Sequence, residues 1–181
     1  MDKRLERILP RVQKPARYVG GEYNAVMKDL SQVDTRVAFC FPDTYEIGMS
    51  NLGMRILYGI MNNMEGVWCE RVFAPWGDME EELRKADMPL FALESGDPIT
   101  NFDIVAFSVG YEMAFPAILN MLDLAGIPFP LSSAYRCPKH NKAVGGVPTS
   151  AHTRGYAVDI RCVDSHIVLL FTPPAGSCAA R

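Results

Sequence analysis

Apolar positions along this chain fall into short continuous runs that alternate with longer periodic stretches. "RVAFCFP" (36–42) is almost unbroken, the pattern of a strand buried on both faces. In "SNLGMRILYGIMNN" (50–63) Leu52, Ile56, Leu57 and Ile60 recur at helical spacing, with Ser50 placed to cap the N-terminus. "VWCERVFAP" (67–75) predicts a second strand, and "DMEEELRKA" (78–86) a solvated helix with acids in its first turn and bases in its last. "PLFALES" adds a short extended piece and "FDIVAFSVG" (102–110) a third buried strand. "MAFPAILNMLDLAG" (113–126) predicts a helix that Gly126 stops.

This strand–helix rhythm predicts an α/β fold, a doubly wound, Rossmann-like parallel sheet with helices on its faces. Ligands of such sheets sit at the carboxyl ends of the strands. Two segments fall there, "PDTYEIG" after the first strand and "SVGYE" after the third. Residues 1–34 read as a polar lead-in with a short helix at 24–30. The pattern of residues 35–129 then breaks at Pro128–Pro130, so the sheet is expected to be incomplete. Residues 130–162 are rich in glycine, proline and small polar residues, with a strand candidate at 156–162 and an appended α+β character. Residues 163–181 form a tail with one apolar run.

The 181 residues allow one domain, or one domain with an appended module; 49% hydrophobic and 22% charged residues supply a sizeable core. A net charge of -3 gives no reason to expect nucleic acid or an anionic membrane as partner. The five cysteines are scattered and form neither CxxC nor CxxxCxxC, so they read as free thiols of a reducing cytosol. No segment has the apolar length of a signal peptide or a membrane span, and a cytoplasmic location is the expectation.

Asp43, Tyr45 and Gly48 form D-x-Y-x-x-G between a strand and a helix, where backbone N–H groups converge on a ligand. Ser108 holds the corresponding place in the second carboxyl-end segment. The spacing is similar to the D-x-H-x-x-G of cobalamin-binding Rossmann-like domains, with Tyr45 where the cobalt-ligating histidine would stand. A tight strand-to-helix turn capped by Asp43 accounts for the same residues without a ligand.

A longer resemblance runs through "ILPRVQKPARYVGGEYNAV", "AFCFPDTYEIGMSNLGMRILYGIMN", "WCERVFAPWGDMEEELR", "PLFALESGDPITNFDIVAFSVGYEM" and "ILNMLDLAGIP". In order, over residues 8–129, these blocks resemble the N-terminal region of a family of bacterial radical S-adenosylmethionine proteins. The resemblance implies a cobalamin-binding-like, non-catalytic domain that precedes an iron–sulfur barrel. The barrel's CxxxCxxC has no counterpart here, so no iron–sulfur cluster and no radical chemistry are expected of this chain alone.

In "PTSAHTRGYAVDI" (148–160) His152 and Asp159 could supply an imidazole and a carboxylate to zinc, which in catalytic sites takes three protein ligands and a water. The wider block, "SSAYRCPKHNKAVGGVPTSAHTRGYAVDIRC", resembles the core of zinc D-alanyl-D-alanine carboxypeptidases and phage endolysins. That resemblance implies His152 and Asp159 as ligands. It also implies Arg136 orienting the substrate carboxylate or the developing oxyanion, with Ser150 in support. The family's third ligand and glutamate base have no clear counterpart; His166, the only later histidine, is the candidate third ligand if a turn at 163–164 sets it on the face of Asp159, and His140 reads as a loop residue. Three readings follow: a radical S-adenosylmethionine N-terminal module binding a corrinoid, a zinc peptidase acting on peptidoglycan peptides, and a fused, truncated remnant. The last predicts a marginal fold with unpaired strand edges.

Overall fold

A computed structural model describes residues 2–111, 114–128, 131–133, 137–150, 153, 159–160 and 167–171. Two compact units emerge, one of residues 1–127 with 166–181 and one of residues 128–165.

The first unit is built on a parallel sheet. Strands β1 (Thr35–Phe41), β2 (Val67–Phe73), β3 (Ile104–Val109) and β6 (Ile167–Phe171) lie in the order β2-β1-β3-β6. The register sets Phe39 beside Arg71 on one flank and beside Ala106 on the other. Because β1 is covered on both faces, Val37, Ala38, Phe39 and Cys40 are all buried, which is why its sequence is apolar without alternation. Crossovers run through α2 (Tyr45–Ser50) and α3 (Leu52–Asn62), α4 (Gly77–Lys85), and α5 (Phe115–Leu124). Gly126, at φ +70°, takes the left-handed turn that ends α5. The doubly wound, incomplete sheet is as the pattern predicts.

Four local expectations are corrected. No helix forms over 24–30, because Val26 is held through both backbone groups: its N–H donates to the Tyr58 hydroxyl and its carbonyl accepts from the Trp68 indole. A helix, α1 (Lys3–Ile8), forms earlier instead, capped by the Asp2 carboxylate on the Arg4 N–H. Its Leu5 and Ile8, with Val12, bury against Met79, Leu83, Met88 and Phe91, so the lead-in contributes a core of its own. Asn51, not Ser50, caps α3 through the Met54 N–H, while Ser50 bonds back to the Ile47 carbonyl. The buried side of α3 is Met54, Tyr58 and Asn62; Leu52, Ile56 and Ile60 face outward.

In the second unit α6 (Pro138–Ala143) begins on Cys137, whose sulfur accepts from the His140 N–H. Strands β4 (Leu131–Ser133) and β5 (Asp159–Ile160) pair antiparallel. Only Asp159 and Ile160 of the predicted 156–162 strand are among the described residues.

Candidate functional site

Along α2, α3 and residues 22–26 runs an open groove of about 530 Å³, with Arg71 of β2 at its base. Its apolar walls include Val26, Met49, Leu52, Met54, Ile56 and Tyr58, and its charged lining comes from Glu22, Arg55 and Arg71. Among the described residues, none of β3 or of the loop after it contributes.

Arg71 organises the floor. As a charge in the middle of a buried strand it is only 6% exposed and needs partners. Its Nε donates to Glu94 Oε1 at 2.6 Å and its Nη2 to Glu22 Oε2 at 2.8 Å. Glu94 accepts a second bond, from the Arg71 backbone N–H at 2.7 Å. The guanidinium lies 5.0 Å from the Tyr58 ring centroid, and its Nη1 faces the Met49 sulfur at 3.1 Å. One guanidinium therefore serves two carboxylates. Burial pushes the Glu94 carboxyl above its ordinary value despite Arg71. Burial also acts upward on Glu22, but its own backbone N–H, the Tyr45 hydroxyl and Arg71 together outweigh it and hold the group low.

Tyr45 is part of the same network. Its hydroxyl donates to Glu22 Oε1 at 2.8 Å, and its ring meets Phe73 edge-on at 5.4 Å. Burial, with Glu22 as acceptor, pushes the phenol up to about 12. Asp43 accepts from the Thr44 N–H at 2.7 Å, while the Ala74 N–H donates to the Asp43 carbonyl. Gly48 is a packing position: a Cβ there would collide with the Phe73 ring and press on Phe41. Tyr45 and Gly48 thus both pack on Phe73, but of the two only Gly48 lines the groove, and Ser108 is buried in β3 and does not line it. An un-ionised hydroxyl already given to a carboxylate does not fit the role of protein ligand to cobalt.

Arg136, His152 and His166 lie outside the described residues. Asp159 stands in register with Ser133 across β4 and β5. Ser150 sits in a turn, its N–H donating to the Val147 carbonyl and its carbonyl accepting from Thr153. Among the described residues no three His, Cys, Asp or Glu side chains are grouped to hold a metal. Nor, among those residues, is any helix long and apolar enough to cross a membrane.

Glu22, Arg71 and Glu94 were not singled out from the sequence. The available signal was "ER" inside "VWCERVF", two charges that a buried strand tolerates only with partners. Glu70 is fully buried too, pairing with Arg36 at 2.6 Å and accepting from the Ser95 N–H. Arg36 in turn lies 5.2 Å from the Trp68 ring and 4.2 Å from the Phe102 ring.

A family model described as radical SAM proteins, N-terminal, matches residues 53–160, more than half of the chain. The chain belongs to this family. No curated protein matches it, and no solved structure does. The match to the radical SAM N-terminal family starts at the second residue of α3 and runs through β5. It therefore takes in residues 131–160, where the peptidase resemblance was read, and no comparison points to a peptidase.

Proposed function

We propose that this chain is a Rossmann-like, non-catalytic N-terminal module of a radical SAM protein, which scaffolds chemistry carried by another segment. The observation that supports this reading is the family match across α3, β2, α4, β3 and α5, in a sequence whose cysteine spacing offers no three-thiolate cluster site. Cys40 and Cys69 are buried, and burial raises both thiols, leaving them poor ligands. Under anaerobic iron and sulfide reconstitution the chain is expected to retain no stoichiometric cluster and to form no 5′-deoxyadenosine from S-adenosylmethionine. Cluster-dependent formation of that product overturns the reading.

Tyr45 belongs to this proposal as a strut and not as a ligand. Hydroxocobalamin added to the chain is expected to keep the spectrum of the free cofactor. A ligand-exchange shift that Tyr45→Phe abolishes would instead make Tyr45 a cobalt ligand. The peptidase reading rests on its sequence motif and has a separate test, zinc content by elemental mass spectrometry. Near-stoichiometric zinc lost in the His152→Ala/Asp159→Ala variant supports it; zinc-free protein, or zinc indifferent to those substitutions, removes it.

A further inference from the structure

Helix α3 turns an apolar stripe outward. Leu52, Ile56 and Ile60 recur one helical turn apart and are 67%, 51% and 55% exposed, while Met54 and Tyr58 pack in the core under the helix. Arg55 is the only charge in the helix, and it lies about 100° round the axis from Ile56, off the stripe. Two glycines flank the stripe, Gly53 and Gly59. A glycine inside a helix weakens it relative to alanine. Gly59 has nothing within 4 Å of where a Cβ would stand, so no contact within the chain accounts for that cost, unlike Gly48 against Phe73.

The outward pattern is symmetric about Ile56. Leu52 and Ile60 stand four residues to either side, and Gly53 and Gly59 three residues to either side. Such a surface is complementary to its own copy. Laid antiparallel across a two-fold axis at Ile56, α3 meets the partner's Ile56 with its own and sets Leu52 beside the partner's Ile60. Leu52 then falls over the partner's Gly59, and Ile60 over the partner's Gly53, so each ridge meets a gap. A face built for an unlike partner needs no such symmetry. The apolar area is also sufficient. Tyr23 lines the groove with Leu52 and Ile56, and Met64, next to Met27, continues the face past the end of α3; all three are more than half exposed. These six side chains, each offering on the order of 100 Å², supply most of the roughly 800 Å² per partner that a specific interface buries.

We infer that the outward face of α3 binds a second copy of this chain, in an antiparallel, two-fold dimer centred on Ile56. This stands on α3 and does not depend on the radical SAM assignment. Sedimentation velocity of the full chain is expected to show a monomer–dimer equilibrium in the micromolar range. Ile56→Asp, which sets two carboxylates at the axis, is expected to weaken the dimer at least about 100-fold and to leave the far-ultraviolet circular dichroism unchanged. Gly59→Leu is expected to weaken it too, by filling the place of the partner's Leu52. The register is read by oxidative cross-linking in a Cys137→Ser, Cys162→Ser, Cys178→Ser background, which does not depend on Gly59→Leu folding. Ile56→Cys is expected to link to its own copy. Leu52→Cys is expected to link only when mixed with Ile60→Cys, because two copies of position 52 stand about 12 Å apart along the helices, beyond disulfide reach. A chain that stays monomeric at about 1 mM overturns the inference and leaves the face to an unlike partner. A dimer indifferent to Ile56→Asp, or Leu52→Cys linking to itself as readily as to Ile60→Cys, overturns it as well.

Discussion

Arg71 holds Glu94 on one side and Glu22 on the other, and the cost of losing it is lopsided. Arg71→Met leaves Glu94 buried with no counter-charge, which is expected to cost about 3–5 kcal/mol in urea unfolding. Arg71→Met with Glu94→Gln is expected to recover part of that loss, because the stranded charge is gone. Stability should also respond to pH in two opposing ways. Glu94 is held above its unfolded value, so the folded chain binds the extra proton more readily; the stability this brings is fully present below the unfolded value, about 4.3, and is lost as pH rises through the raised folded pKa. Glu22 is held below its unfolded value, so its contribution is present above that value, about 4.3, and is lost as pH falls through the lowered folded pKa. Urea midpoints measured across pH are expected to peak on the acid side of neutrality, and Glu94→Gln to remove the rise and leave the fall. Little of this was legible in the sequence. D-x-Y-x-x-G drew the eye to Tyr45 and Gly48, which do both pack on Phe73, but Tyr45's partner Glu22 comes from a loop with no periodicity. Glu94 likewise comes from an irregular stretch, and only the fold brings the three charges together.

The elements themselves were more readable, and the reason is burial. A strand covered on both faces must be apolar throughout, so β1, β2 and β3 declared themselves within one or two residues of each end. The helix α3 was equally visible as a helix, yet its inward face was not. It is apolar all round, so periodicity gave a length but could not choose between Leu52–Ile56–Ile60 and Met54–Tyr58. The choice was made by Asn62, the polar end of the buried stripe. Its side chain accepts from the Cys69 N–H and donates to the Cys69 carbonyl, both at 3.0 Å, imitating a neighbouring strand. The same free edge of β2 is closed by Lys28 on the Val67 carbonyl, by Glu94 on the Arg71 N–H and by the Leu93 N–H on the Arg71 carbonyl. This edge of β2 is therefore dressed by side chains and one loop. Asn62→Leu would orphan two buried backbone groups at Cys69, and a loss of roughly 2–4 kcal/mol is expected in urea unfolding. Asn62→Gln, which keeps the amide but misplaces it by one methylene, is expected to fall between. Short elements escaped notice for a different cause: α1 and α2, six residues each, are too brief for a period to register.

At the scale of the whole molecule, the lead-in and the sheet share one unit, and this too follows from small numbers of residues. Leu5, Ile8 and Val12 are sparse among charges, yet they meet Met79, Leu83, Met88 and Phe91 and form a second apolar cluster beside the one under α3. A composition dominated by Lys, Arg and Glu masked three well-placed apolar side chains. Residues 128–165, by contrast, changed character in the sequence and form their own compact unit, and the family match nevertheless continues into them. One feature of the first unit bears on how the molecule can be joined to anything else. With Lys28, Asn62, Leu93 and Glu94 occupying the outer side of β2, a visiting strand finds no ladder to extend there. Among the described residues β6 is the sheet's other edge strand. Growth of the sheet is closed on the β2 side, so chain segments or partners that attach by strand addition have no berth there.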